Sequence, residues 1–156
     1  MEGNDFEPLG KYLSIVFRTL NSILDNKLQE YNIARGEFPF LLALYHKQGV
    51  SQQQLSDYYL FDKAVAVRVI NKLVKKGFVR REKDPEDKRQ YKIYLSSKGQ
   101  KFKPTFMNIL EITEKTMVKG LSSCEKRQFI STLKTIAENL GVNCEKCEKQ
   151  QSLDCR

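Results

Sequence analysis

The chain has no tryptophan, one histidine, four prolines and eight glycines among its 156 residues. A single histidine leaves no metal-spaced histidine pair, and no Gly-rich phosphate loop or nucleophile motif is present. The adjacent acids Glu86 and Asp87 fall in a solvated charge run rather than an apparent cleft. Nothing in the pattern points to an enzyme, and no cofactor is expected. No apolar run approaches the ~18–20 residues of a membrane span. The opening MEGNDFEPLG lacks the basic start and apolar stretch of a signal peptide. The sequence therefore predicts a cytoplasmic protein with no membrane partner. Sparse Gly and Pro, with 40% hydrophobic and 29% charged residues, argue against disorder.

Positive charge is plentiful, and it is segregated. The formal net charge is +8. Residues 62–103 hold fourteen Lys and Arg against five Asp and Glu, and the rest of the chain holds thirteen against fourteen. A basic surface confined to one stretch is the electrostatic footprint of a polyanionic partner, although a solvated basic face would carry the same composition.

From Leu9 to about Asn32, Leu13, Val16, Phe17, Leu20, Ile23, Leu24 and Leu28 recur at helical spacing. Tyr12, Ile15 and Tyr31 widen the stripe beyond what one buried face needs, which suggests a second contact such as another subunit. A second helix is predicted from about Glu37 to Lys47, with Pro39 tolerable only in its first turn. Ser51 and Gln54 have capping-box spacing and open a short third helix. Asp62 is placed to cap the next, KAVAVRVINKLVKK, which Gly77 ends. A two-stranded hairpin follows, with Tyr91, Ile93 and Leu95 on one side and Lys92 and Tyr94 on the other. Ser96 or Ser97 caps a long helix to about Met117, in which Pro104 marks either a kink or a late start. Ser122 and Glu125 open a last helix to about Leu140, and residues 141–156 read as a frayed tail.

Helix, short helix, capped helix and hairpin make a helix-turn-helix with a wing. The fold class is mainly α with a small β-hairpin wing, in one domain, with residues 36–99 as the winged core. The second helix of such a motif enters the major groove. Ala66, Val69, Ile70 and Leu73 should face the core. Lys63, Ala64, Val65, Val67, Arg68, Asn71 and Lys72 should lie on or near the other face. Arg68 suits a guanine edge, and Val65 and Val67 suit thymine methyls. Taken alone, the helix equally fits an ordinary amphipathic helix with a basic outer face. At the hairpin tip, an arginine suits the narrow minor groove if it is held extended. Asp87 and Arg89 have the spacing for a forked ion pair that would hold it. Lys83 and Lys88 can add phosphate contacts. Phe102, Phe106, Ile109, Leu110, Ile112, Leu121, Phe129, Ile130, Leu133 and Ile136 supply much apolar surface outside the winged core, either to complete a monomer core or, as the broad first-helix stripe favours, to meet a second subunit.

The run LSDYYLFDKAVAVRVINKLVKKGFVRREKDPEDKRQYKIYLSSKG resembles the core of MarR-type (multiple antibiotic resistance regulator) transcription factors. The resemblance rests on Leu55, Asp62–Lys63, Gly77–Arg81, the Asp84–Arg89 wing and Leu95–Gly99. It implies a homodimer built from residues 9–32 and 105–140, binding double-stranded DNA at a pseudo-palindromic operator. It further implies a repressor relieved by a small-molecule effector or by oxidation. A ligand pocket between the first, second and fifth helices would involve Phe17 and His46. The chain departs from the family at the start of the recognition helix, where Ala64, Val65 and Val67 stand in place of Ser or Thr. Base readout would then rest on Arg68, Asn71 and methyl contacts.

Cys144, Cys147 and Cys155 lie in the tail, the first two as C-x-x-C, a spacing shared by zinc sites and redox pairs. One such pair supplies only two of the four ligands of a structural zinc, so an inert tail, a redox switch and a metal sensor all remain open. Winged helices also bind RNA or dock proteins, and the basic window favours nucleic acid over docking.

Overall fold

The computed structural model describes residues 7–58 and 60–142. It contains six α-helices and a three-stranded sheet among those residues. Helix α1 spans Leu9–Leu28 and continues as a 3-10 turn over Gln29–Tyr31. The α-helix thus stops earlier than its apolar stripe predicts. Asn32 takes left-handed backbone angles and turns the chain away. Helix α2 is Phe38–His46, with Pro39 in its first turn as expected.

Strand β1, Val50–Ser51, was not legible as a strand. It adds a third member to the expected hairpin of β2 (Val79–Lys83) and β3 (Tyr91–Leu95), in the order β1-β3-β2. The segment entering β1 is also tied to β3: Gly49 N–H donates to the Ile93 carbonyl (2.9 Å), and Leu95 N–H donates to Gln48 Oε1 (2.9 Å). The register pairs Val50 with Ile93 and Arg81 with Ile93, so one row crosses all three strands. Ile93 and Leu95 are buried, as their alternation predicts, but Tyr91, nearer the tip, is exposed.

Helix α3 (Gln52–Tyr58) opens on the predicted capping box. Ser51 N–H donates to Gln54 Oε1 (2.8 Å), and Gln54 N–H donates to Ser51 Oγ (3.1 Å). Helix α4 (Lys63–Lys75) is capped by Asp62, whose carboxylate accepts from Ala64 N–H (2.7 Å). It ends in a Schellman closure: Gly77, at φ 80°, donates its N–H to Val74 O, and Phe78 N–H donates to Leu73 O. Helix α5 (Ser97–Met117) begins at the Ser96 cap, so Pro104 lies inside it and the late start is excluded. Its Gly99 packs so tightly on the connection between α4 and β2 that an added Cβ would sit 2.2 Å from the Phe78 carbonyl oxygen. Helix α6 (Ser123–Asn139) opens on the Ser122–Glu125 capping box.

The core lies where the end of α1, α2, α3, α4, the sheet and the first half of α5 meet. Leu28, Ile33, Phe40, Leu41, Leu44, Ile70, Leu73, Phe78, Ile93 and Phe106 are its largest fully buried apolar members. Tyr45 joins them, and its hydroxyl donates to the Gly99 carbonyl at 2.8 Å. Burial pushes that phenol up to about 12. The apolar set predicted to lie outside the winged core does not share one environment, and its members Leu133 and Ile136 are half-buried. Phe102, Phe106, Ile109 and Leu110 belong to, or pack against, the core of this chain. Ile112, Leu121, Phe129 and Ile130 are exposed, as are Tyr12, Ile15, Val16 and Phe17 on α1. No helix among the described residues is long and apolar enough to cross a membrane.

Candidate nucleic-acid interface

Helices α3 and α4 form the helix-turn-helix, and the β2–β3 loop projects as the wing. Ala66, Val69, Ile70 and Leu73 anchor α4 inward, as the spacing predicts. On the outward side, Lys63, Ala64, Val67, Arg68, Asn71 and Lys72 are exposed. Ala64, Val67, Arg68 and Asn71 stand at i, i+3, i+4 and i+7 and share one face of the first two turns. Val65 is the exception among the predicted contacts. It is half-buried and packs against the core rather than standing clear of it. Val67 is 41% exposed. Arg68 lies back along the helix, its Nε donating to the Ala64 carbonyl (3.3 Å).

The turn that sets the angle between α3 and α4 carries strain. Leu60 sits at φ 55°, in the left-handed region that β-carbon sterics disfavour. The turn is tied by Phe61 N–H donating to Ser56 O (2.9 Å) and by the Ser56 hydroxyl donating to Phe61 O.

The wing tip is built by its acids. Asp84 Oδ1 accepts from Glu86 N–H (3.0 Å), and its Oδ2 lies 3.4 Å from Lys92 Nζ. The Glu86 N–H is the largest influence holding the Asp84 carboxyl below the usual carboxylate range, with the Lys92 ammonium adding to it. Asp87 differs from expectation. Its Oδ1 accepts from the backbone N–H of Arg89 (3.0 Å), and its Oδ2 accepts from Gln90 Nε2 (3.0 Å). The predicted forked pair with the Arg89 guanidinium is not formed. A backbone N–H two residues ahead is already in reach of an Asp side chain, whereas an exposed ion pair must immobilise a long arginine for little gain. The carboxylate therefore shapes the tip, and Lys83, Lys88 and Arg89 stand exposed around it. Further down, the Arg80 guanidinium lies 4.9 Å from the Tyr94 ring centroid and pairs with Glu82.

Phe17 and His46 were predicted to share a ligand pocket; Phe17 does not line the depression that His46 lines. Phe17 is 67% exposed on α1. His46 is exposed at the end of α2 and lines a shallow depression together with Ala43, Val50, Leu55 and Tyr58. Cys144, Cys147 and Cys155 lie outside the described residues. Among those described, Cys124 is free and exposed, and no cluster of His, Cys, Asp or Glu has the arrangement to hold a metal.

One polar pair had no signal in the sequence. Glu37, at the entrance to α2, is 2% exposed, and its two oxygens accept from Lys76 Nζ at 2.8 and 2.7 Å. The partners are far apart in sequence, and neither capping nor periodicity links them.

A capped helix presented beside a β-wing defines a winged helix-turn-helix. The MarR-family model matches residues 31–90. A MarR transcriptional regulator from Methanosarcina mazei is 34% identical, with a TM-score of 0.78 over 84% of this chain and 94% of that one. The uncharacterized HTH-type regulator YkoM of Bacillus subtilis is 33% identical over 73% of each chain. A Listeria monocytogenes MarR-family regulator, solved in complex with a 26-mer DNA, shares the fold at TM-score 0.82, 24% identity and 94% and 97% coverage. The chain belongs to the MarR family of helix-turn-helix transcriptional regulators.

Proposed function

We propose that this protein is a sequence-specific, double-stranded-DNA-binding repressor that acts as a homodimer on a pseudo-palindromic operator. The observation that carries this reading is the exposed stripe Ala64, Val67, Arg68 and Asn71 on a helix anchored by four buried residues, beside a wing whose Lys83, Lys88 and Arg89 stand free of the core. The stripe reads base edges in the major groove. Arg89 enters the minor groove, and Lys63, Lys72, Lys83 and Lys88 meet phosphates. The segregated positive charge of residues 62–103 supports the same partner.

The dimer reading rests on the exposed apolar side chains of α1 and α6, which include Phe17 and Phe129 at 67% and 55% exposure. Large apolar groups clustered on two terminal helices mark an association surface. A C2 pair built there would carry its two reading helices about one DNA turn, ~34 Å, apart. Relief by a small molecule or by oxidation is part of the same proposal, and the MarR membership is its support.

The test is fluorescence anisotropy with the duplex upstream of the protein's own gene, against a scrambled duplex, at ~0.15 M salt. A preference of about 10³ or more supports the reading. Equal, weak binding to both would contradict it and favour an RNA or protein partner.

A further inference from the structure

The Glu37–Lys76 pair lies where two parts of the fold meet. The loop that leaves α1 runs directly into Glu37, whose Oε2 also accepts from Ala34 N–H (2.9 Å). Lys76 is the C-cap of α4 and donates its N–H to Lys72 O (2.9 Å). Its carbonyl accepts from Lys98 Nζ (2.8 Å), and that ammonium lies 4.3 Å from the Phe78 ring centroid at the start of the wing. The last turn of the reading helix is thus tied to the entrance of α2 and to the first turn of α5.

The neighbouring cations behave differently. Lys72 and Lys75 are exposed, while Lys76 is half-buried and committed to one carboxylate. A lysine so committed is withdrawn from phosphate contact, and the pair carries no net charge toward a duplex. Burying two charges is also a poor route to stability, since apolar side chains of similar volume often serve as well or better. What the pair supplies is a fixed distance and direction between two backbone segments, because both oxygens are engaged.

We propose that Glu37 and Lys76 are positioning residues that set the orientation of the reading helix relative to the α1–α5 scaffold, and thereby the half-site spacing the dimer accepts. The proposal rests on the DNA-binding dimer proposed above. The pair acts on α4 from the end remote from Ala64 and Val67, so a small rotation about the cap is amplified at the reading turns. With two copies, each such rotation changes the distance between the two reading stripes.

The experiment uses the full chain. Wild-type protein first selects duplexes from a random pool. The charge-neutral double variant Glu37→Leu/Lys76→Met is then compared with wild type on the selected duplex, on a random duplex, and on duplexes with one base pair added or removed between half-sites. Thermal unfolding is measured alongside. The double variant should melt within a few degrees of wild type and bind the random duplex equally. It should lose about tenfold or more on the selected duplex, and most of its discrimination against the altered spacings. The single variant Glu37→Gln, which keeps the shape and weakens the pair, should fall between the two. A double variant with wild-type spacing discrimination overturns the positioning role, whatever its stability. Should the wild type enrich no sequence from the pool, the DNA reading itself fails, and this inference with it.

Discussion

Thymine methyl groups provide a sharp test of the reading stripe. Val67 is exposed at the second turn of α4 with Ala64 beside it, whereas Val65 is half-buried against the core. A β-branched side chain with no hydrogen-bonding group gains in the major groove only by covering apolar surface, and the thymine 5-methyl is the apolar group displayed there. Replacing thymine by deoxyuridine deletes that methyl and keeps every base-pairing and groove hydrogen bond. Burial of one methyl-sized group is worth about 0.8 kcal/mol, which is about fourfold in affinity. Each thymine of a bound duplex would be replaced singly and the dissociation constant measured by anisotropy at fixed salt. One or two positions per half-site should show the fourfold loss, with the rest near unity. Val67→Ala should cancel the loss at its own position, because the partner group is then gone. Val65→Ala should leave the pattern of sensitive thymines unchanged. Uniform tolerance of deoxyuridine in a duplex that is still bound specifically would refute methyl readout by this helix.

Other outcomes follow from single residues. Leu60→Gly removes a left-handed strain of about 1–2 kcal/mol and gives back about 0.5–1 kcal/mol in backbone entropy. Since Leu60 is 69% exposed, little burial is lost, and chemical denaturation should show a modest net gain in stability. Arg89→Ala should leave the melting temperature unchanged while weakening specific binding, and Lys88→Ala should lower the salt slope of binding by about 1. Normal operator affinity in Arg89→Ala would argue against minor-groove insertion. Phe129→Ser with Ile130→Ser, both exposed on α6, should convert a sedimenting dimer into single 18.2 kDa chains that keep their helical circular dichroism. A variant that still sediments as a dimer would place the interface elsewhere.

What could be read from the sequence was local. The Ser51–Gln54 and Ser122–Glu125 boxes and the Asp62 cap each involve residues within three positions, and each forms as expected. The inward face of α4 was equally legible, since Ala66, Val69, Ile70 and Leu73 recur at helical period. The failures involve choice between partners or distance along the chain. Strand β1 is two residues long and exists only because Val50 meets Ile93. Asp87 had two candidate donors, and the backbone N–H of Arg89 won over its guanidinium. The long stripe of the fifth helix gave no sign of where core ends and exposed surface begins, so Phe106 and Ile112 looked alike; one is buried and the other exposed. Glu37, the N-cap of α2, and Lys76, the C-cap of α4, are 39 positions apart and meet only in the folded chain.

The central claim is that two copies of this winged helix-turn-helix read one duplex together. Hydroxyl-radical footprinting on a duplex selected by the protein, with stoichiometry from sedimentation of the same complex, tests it most directly. The account predicts two chains per duplex, two protected regions about one helical turn apart, and flanking minor-groove protection that disappears in Arg89→Ala. A single chain per duplex, or protection without that spacing, would contradict it.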